Sequence, residues 1–223
     1  MFAGHIGAAL AIGRAERQMN VGVFVVAALL LDLVLWLFVL LGWESVTIPA
    51  NFANTHQPEF VFPYSHGLVA SVVWSALAGT AALVWCAGLV TTKWRVATLI
   101  AAAVFSHWAL DALVHRPELP LLDASSPTVG LGLWQSMPTA LVTESVIVVA
   151  GLYLFMSGSM ISRGKSLALA ALTLVILAFT VVGMTLAPAP PSAWAMASSS
   201  LVTLVAVCAL IYWLGRLPRD KQA

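Results

Sequence analysis

One short segment carries three ionisable side chains at a spacing of four residues. In SHWALDALVHRP, residues 106–117, His107, Asp111 and His115 recur at that interval, which places them along one face of an α-helix. A His and an Asp one turn apart can bind the same metal ion, or the Asp can orient the imidazole. The alternative is a hydrogen-bonded pair that only stabilises the helix. Because the flanking residues are apolar enough for a membrane, where such a pair is costly, the spacing favours metal or proton chemistry.

Further acids and imidazoles lie in other apolar segments. Asp32 stands alone in ALLLDLVLWL, His66 opens an apolar run after FPYS, and His5 lies in the first apolar stretch. Ionisable groups at membrane depth are candidates for a functional site by default. We predict that a metal ion is held by the side chains at compatible depths: His5, Asp32, His66, His107 and Asp111.

Taken singly, these residues have plainer interpretations. Asp32 fits a protonated side chain bonded to another helix, and His66 fits a histidine at a helix start near water. His5 alone would be read as a near-terminal residue, and His56, in a long polar loop, is expected to be solvated. The ligand interpretation gains weight only because these side chains occur together.

Polar residues around the fourth apolar run suggest roles in catalysis and substrate binding. Glu144 is either an interhelical hydrogen-bonding group or a general base, a further ligand or a substrate contact. We predict Glu144 and Asp32 as catalytic carboxylates, and we expect Pro138 to kink its helix. Arg116 could neutralise a neighbouring acid, Asp111 or Glu118, or hold an anionic group by bidentate contacts. The predicted substrate contacts are His115, Arg116 and Gln135.

The composition indicates a membrane protein. Of 223 residues, 61% are hydrophobic and 9% are charged, against roughly a quarter charged in a soluble domain. A 23.6 kDa chain cannot bury this much apolar surface in a water-facing globule, which excludes an ordinary soluble enzyme, a disordered chain and a disulfide scaffold. Cys86 and Cys208 lie in apolar runs and are expected to be core residues. A net charge of +1 gives no indication of nucleic-acid binding.

Six apolar runs are long enough to cross a bilayer, which takes about 20 residues. They are residues 20–42, 66–91, 95–116, 133–157, 166–187 and 194–215. A seventh run, 1–13, reaches only about halfway across. We therefore predict an all-α fold, a polytopic transmembrane helical bundle with six spans and a short N-terminal half-helix, in one integral membrane domain, residues 1–223.

The basic residues predict the orientation. Nine of the ten Lys and Arg residues fall on one side of these spans: 14, 17, 93, 95, 163, 165, 216, 219 and 221. The positive-inside rule makes that side, with both termini, cytoplasmic. From the nearest basic residue, His107 lies about 18 Å, Asp32 about 22 Å and His5 about 13 Å along the helix axis. These side chains are therefore expected to meet in the middle-to-outer part of the bundle, in a site that opens to the outer face.

The last two spans contain no Asp, Glu, His, Lys or Arg between 166 and 215. Their Ala and Ser residues permit close helix approach. We therefore expect site-bearing helices in residues 1–157 and scaffold helices in 158–223. Membrane lipids are the expected partners, with a homo-oligomer through the last two spans as a further prediction.

The ordered motifs carry a resemblance. Gly4-His5, Asp32, Ser65-His66-Gly67, and Ser106-His107 through Asp111 resemble, in that order, the YdjM-like family of bacterial membrane-bound metal-dependent hydrolases. The resemblance covers about residues 1–116, and departs where the family has a second Asp and a His beside Asp32. It implies a divalent metal cofactor, hydrolase activity and a bacterial cytoplasmic (inner) membrane.

Three functions remain open from the sequence. The first is a metallohydrolase, with zinc as the first choice of metal, acting on a lipid or lipid-linked substrate. The second is a proton-coupled transporter or permease that uses the same Asp, His and Glu residues as a relay. The third is a non-catalytic or haem-binding subunit, although we expect His66 to lie too far out to pair with His107.

Overall fold

The computed structural model describes residues 1–86 and 92–217, and these form a bundle of α-helices. In chain order the helices are α1 (Phe2–Gly13), α2 (Val21–Ala28), α3 (Leu30–Leu41), α4 (Phe52–Thr55), α5 (Leu68–Trp85), α6 (Lys93–Val114), α7 (Met137–Met156), α8 (Arg163–Thr185) and α9 (Ala193–Leu214). Each of α5 to α9 is long and apolar enough to cross a membrane, and α2 with α3 makes a sixth span if the bent pair is counted as one. The predicted all-α bundle is confirmed, and the chain is a multi-pass membrane protein. Predicted span residues 87–91 and tail residues 218–223 lie outside the described residues.

One end of the bundle gathers basic residues. Arg95 donates to the Ala15 carbonyl, and the Lys165 ammonium donates to the carbonyl of Arg216 at 3.1 Å. We call this the basic end. Its cytoplasmic location stays a prediction.

Two small hairpins cap the opposite end, the hairpin end. Strand β1 (Ser45–Thr47) pairs antiparallel with β2 (Glu59–Val61), and β3 (Leu119–Pro120) pairs with β4 (Thr128–Val129). After β2 the chain turns into the bundle. The side chains of residues 62, 65 and 66 show this turn, since they are almost completely buried. From the sequence, these segments were expected to be loops between spans, without strands.

The bend between α2 and α3 measures 47°. No Pro or Gly marks it, since the chain reads AALLLDL there. The bend starts a new helix at Leu30 and so places Asp32 in the first turn of α3. The free N–H groups and dipole of a helix N-terminus favour a carboxylate at this position, which lowers the cost of burying Asp32 in an apolar segment.

Helix α1 is held against α7 at a very close crossing. A Cβ atom on Gly7 would lie 2.7 Å from Val148 Cα, and a Cβ on Gly151 would overlap the Gly7 carbonyl. Only glycine permits this approach. The crossing fixes the short predicted half-helix, and therefore His5, inside the bundle.

Helix α7 begins later than expected and is not kinked by its proline. Gln135 lies in a separate 3₁₀ turn, Leu133–Gln135, and Pro138 lies in the first turn of α7. Backbone N–H groups in a first turn have no intrahelical partner, so proline removes no hydrogen bond there. The expected kink is therefore wrong.

Candidate metal centre

Five side chains from four separate segments come together beneath the hairpin end. Helix α6 contributes His107 and Asp111, α3 contributes Asp32, α1 contributes His5, and the segment before α5 contributes His66. Asp32 keeps 22% of its side chain exposed, whereas the other four are buried. The structure thus places together all five residues that were predicted to hold a metal ion.

Four ligand atoms form the centre of this group, and we call His66, His107, Asp111 and Asp32 the quartet. The two Nε2 atoms of His66 and His107 are 3.1 Å apart. Asp111 Oδ2 lies 3.2 and 3.4 Å from the Nε2 atoms of His107 and His66, and Asp32 Oδ1 lies 3.6 and 3.7 Å from the same atoms. A tetrahedral ion with bonds of about 2.0–2.2 Å spaces its ligand atoms by roughly 3.3–3.6 Å. His66, His107 and Asp111 form a group that could hold a metal ion, and Asp32 lies within 3.7 Å of both imidazole nitrogens of that group.

The pairing of His66 with His107 corrects one expectation. His66 was expected to lie too far out to reach His107, yet their ring nitrogens are in contact. The reason is that the chain after β2 folds inward before α5 begins. The position of a residue relative to a predicted helix start does not reveal such a turn.

Both quartet imidazoles are oriented through their second ring nitrogen. His107 Nδ1 lies 2.6 Å from the Ala28 carbonyl oxygen, which can only accept, so Nδ1 carries the proton and the Nε2 lone pair faces the quartet. His66 Nδ1 lies 2.8 Å from Ser65 Oγ. Metal-bound histidines are held by partners of this kind, which fix the tautomer and the ring plane.

His5 lies beside the quartet. Its ring stacks on that of His107 with centroids 3.6 Å apart, and its Nε2 is 3.2 Å from Asp111 Oδ1. The Met1 backbone nitrogen lies 3.5 Å from the same oxygen. His5, Asp32 and His107 form a second possible ligand group. Because both groups need the one free nitrogen of His107, they are alternative sites for a single ion, with five candidate ligands between them.

Glu44 supports His66 from the loop after α3, a role that sequence reasoning missed. Its Oε1 accepts the backbone N–H groups of Tyr64 and Ser65, each at 2.8 Å. This fixes Ser65 next to the His66 ring. Burial raises the pKa of Glu44. In the sequence Glu44 is one of several acids in the outer loops, and nothing beside it indicates a role. The one available signal was the Ser65-His66 pair, because a serine next to a candidate ligand suggests that further groups hold this segment in place.

Glu144 is buried on α7 and faces the same cavity as the quartet. Its Oε1 accepts the Gly4 N–H at 2.9 Å, which fastens the first turn of α1. This is the interhelical hydrogen bond that was one of its two predicted roles. Its predicted catalytic role stays a prediction.

The three predicted substrate contacts separate. His115 is buried, lines the cavity and has its Nδ1 2.6 Å from Glu118. Arg116 instead pairs with Glu59 at 3.6 Å and Glu118 at 3.5 Å, so its predicted role as a partner of an acid is the one that the structure shows. Gln135 lines a neighbouring polar pocket. Arg116 and Gln135 lie away from the quartet, because both fall in the connection between the end of α6 at Val114 and the start of α7 at Met137.

A cavity of about 480 Å³ lies against the quartet. Asp32, His66 and Asp111 line one side of it, and residues of α8 and α9 line the other. The last two spans were expected to be scaffold because they contain no Asp, Glu, His, Lys or Arg between 166 and 215. The structure gives them a wall of the cavity as well.

No protein-family model matches the chain, and neither a curated protein nor a solved structure matches it. The resemblance to the YdjM-like family therefore stays a prediction. The geometry of the quartet and its cavity carries the functional interpretation.

Proposed function

We propose that the chain is an integral-membrane metal-dependent hydrolase whose ion is held by the quartet, with His5 as a fifth ligand or as a partner of Asp111. The observation that carries this proposal is the convergence of two imidazole nitrogens and two carboxylate oxygens at 3.1–3.7 Å. Mixed nitrogen and oxygen donors suit zinc first, and also iron or manganese. The resemblance to the YdjM-like hydrolases supports the same assignment.

The charge of the group also favours a cation. Asp32 and Asp111 each place a carboxylate oxygen within 3.7 Å of the same two imidazole nitrogens in an apolar bundle. Buried carboxylates repel each other and are costly to desolvate unless a positive charge compensates them. A divalent ion supplies that charge at the centre of the quartet.

The residues around the cavity fit hydrolysis. A bound ion of this kind lowers the pKa of water towards neutrality and polarises a carbonyl or phosphoryl oxygen. Asp32, the quartet member with the most exposed side chain, and Glu144 both line the cavity and can accept a proton there. We propose an ester, amide or phosphoester of a lipid or lipid-linked molecule as the substrate.

The location completes the proposal. A bacterial cytoplasmic membrane with both termini inside puts the basic end in the cytoplasm and the hairpin end outside. A cysteine introduced at Ser125, in the exposed β3–β4 turn, should react with an impermeant thiol reagent in intact cells. Labelling only after permeabilisation would contradict this orientation.

Metal analysis of the detergent-purified full chain tests the function. We expect about one divalent ion per chain, as a single four-ligand site predicts. His107→Ala should lose the ion, whereas His56→Ala, a histidine from outside the five-residue group, should keep it. Substoichiometric metal in the unmodified chain after growth with added zinc, iron or manganese would contradict the proposal.

The proton-coupled transporter is the second candidate, and one contact favours it. Without an ion, the Nε2 atoms of His66 and His107, 3.1 Å apart, must share a proton, and Asp111 lies within reach of both. A row of hydrogen-bonded side chains of this kind can relay protons. Substrate uptake driven by a pH gradient in metal-free proteoliposomes, and abolished by Asp111→Asn, would favour this candidate over the hydrolase.

A further inference from the structure

The cavity beside the quartet has two unlike sides. Acids and imidazoles, Asp32, His66, Asp111, His115 and Glu144, lie on one side. On the other side, the residues of α8 and α9 that line the cavity include no Asp, Glu, His, Lys or Arg. A molecule that fills the cavity therefore meets polar groups at one end and hydrocarbon at the other.

The apolar side reaches deep into the bundle. Leu204 lines the cavity and lies 11 residues along α9 from Ala193, which is about 16 Å along the helix axis. The space thus runs from the hairpin end to about the middle of the predicted bilayer.

Most of the hydroxyl groups on this side already donate to carbonyl groups of their own helix. Thr180 donates to the Ile176 carbonyl at 3.0 Å, and Thr203 donates to the Ser199 carbonyl at 2.8 Å. Ser and Thr side chains that bond to their own helix offer no free donor to a ligand. The wall is therefore less polar than its composition suggests.

The wall is also open at membrane depth. Phe179 lines the cavity and is 60% exposed, and Ser199 on α9 is exposed too. Gly183 lines the cavity, and a Cβ added there would meet no atom within 4 Å. Because both helices are apolar spans, this opening faces the hydrocarbon of the membrane.

We propose that the cavity binds a membrane lipid, with its headgroup at the quartet and an acyl chain along the wall formed by α8 and α9. The cavity volume of about 480 Å³ falls within the usual range of sites for small molecules. A chain that reaches this opening arrives from the bilayer. The inference deepens the proposed function by assigning the position of the bound lipid and its route into the cavity, and it rests on that function only for the reaction of the headgroup.

Photolabelling of the full chain tests this binding. The chain is reconstituted into phosphatidylethanolamine and phosphatidylglycerol vesicles that contain a phospholipid with a diazirine at the end of one acyl chain. We expect labelling at Leu35 and Leu204, which line the cavity and are almost completely buried. Annular lipid cannot reach them, whereas it should label the exposed Val202 on the outer face of α9.

Two neighbouring positions on α8 give a matched pair of variants. Gly183→Phe fills the cavity, and Val182→Phe adds the same ring at an exposed position that is not part of the cavity lining. We expect Gly183→Phe to lower labelling of Leu35 and Leu204 by about tenfold, because the phenyl ring would occupy space that the acyl chain needs, and overpacking of this kind is strongly disfavoured. Val182→Phe should leave labelling unchanged, and both variants should keep their metal content.

The outcomes separate the two proposals. Labelling confined to Val202 and other exposed positions in the unmodified chain would overturn the lipid site, even if the protein binds metal. Labelling of Leu35 and Leu204 that Gly183→Phe does not reduce would overturn it too. Specific labelling in a protein that binds no metal would support the lipid site and contradict the hydrolase.

Discussion

The two sides of the cavity differ in packing as well as in charge. On the quartet side, α1 crosses α7 through paired glycines, and His5, His66, His107 and Asp111 are buried. On the other side, α8 and α9 present exposed apolar side chains such as Phe179 and an open space at Gly183. The comparison suggests that the buried side holds an ion in a fixed geometry and that the open side admits a substrate.

Disruption of the α1–α7 crossing should have the largest effect. Gly151→Leu places a side chain where the Gly7 backbone lies, and we expect it to lower the free energy of unfolding by about 3 kcal/mol or more. It should also lower metal affinity, because α1 carries His5. Thermal unfolding in detergent measures the first effect.

Gly164→Leu is the matched control for that variant. A Cβ at Gly164, in the first turn of α8, would meet nothing within 4 Å. We expect wild-type stability and wild-type metal content. Equal destabilisation by Gly151→Leu and Gly164→Leu would contradict the claim that the quartet side is more tightly packed than the side formed by α8 and α9.

The two quartet carboxylates should differ in importance. Asp111 is buried and contacts three histidines, His5, His66 and His107, within 3.4 Å, whereas Asp32 is partly exposed and 3.6–3.7 Å from its partners. We expect Asp111→Asn to reduce metal affinity by more than about 100-fold, beyond the loss typical of an outer-shell partner. Asp32→Asn should reduce it less. Competition with a calibrated chelator measures both, and the reverse order would contradict the geometry.

Ser65 should have a smaller effect, as an orienting partner of His66. We expect Ser65→Ala to weaken metal binding by roughly 10-fold. Ser71→Ala is the control, because the buried Ser71 Oγ has no hydrogen-bond partner within the described part of the chain. A similar loss of metal affinity in both variants would remove Ser65 from the site.

The smallest effect concerns pH. The pKa of Glu44 is raised by burial, so between its usual value and the raised value the folded chain binds more protons than the unfolded chain. Stability must then fall as pH rises through that window. Glu44→Gln should remove this component of the pH dependence, which unfolding measured across mildly acidic pH would show. An unchanged pH profile would contradict a buried, titrating Glu44.

Much of the buried side could be predicted, because the depth of a residue in the membrane can be calculated from the rise per residue of its helix. The four-residue spacing on α6 placed His107 and Asp111 on one face, and distances from Arg14, Arg17 and Arg95 placed residues of other helices at similar heights. These quantities depend on local geometry alone. The prediction that His5 and Asp32 lie near His107 needed nothing more.

The open side could not be predicted in the same way. The absence of Asp, Glu, His, Lys and Arg between residues 166 and 215 reveals neither which helices α8 and α9 pack against nor where they leave space. The bend before Asp32 has no Pro or Gly to mark it, and Glu44 contacts residues 20 positions away. Such features depend on tertiary contacts that a single sequence does not encode locally.

X-ray absorption spectroscopy of the metal bound to the purified chain tests the central claim most directly. We predict nitrogen and oxygen ligands at about 2.0–2.2 Å, no sulfur, and back-scattering from at least two imidazoles. His107→Ala should remove the metal or reduce the imidazole signal. A sulfur-containing shell, or a shell that His107→Ala leaves unchanged, would contradict a metal ion held by the quartet.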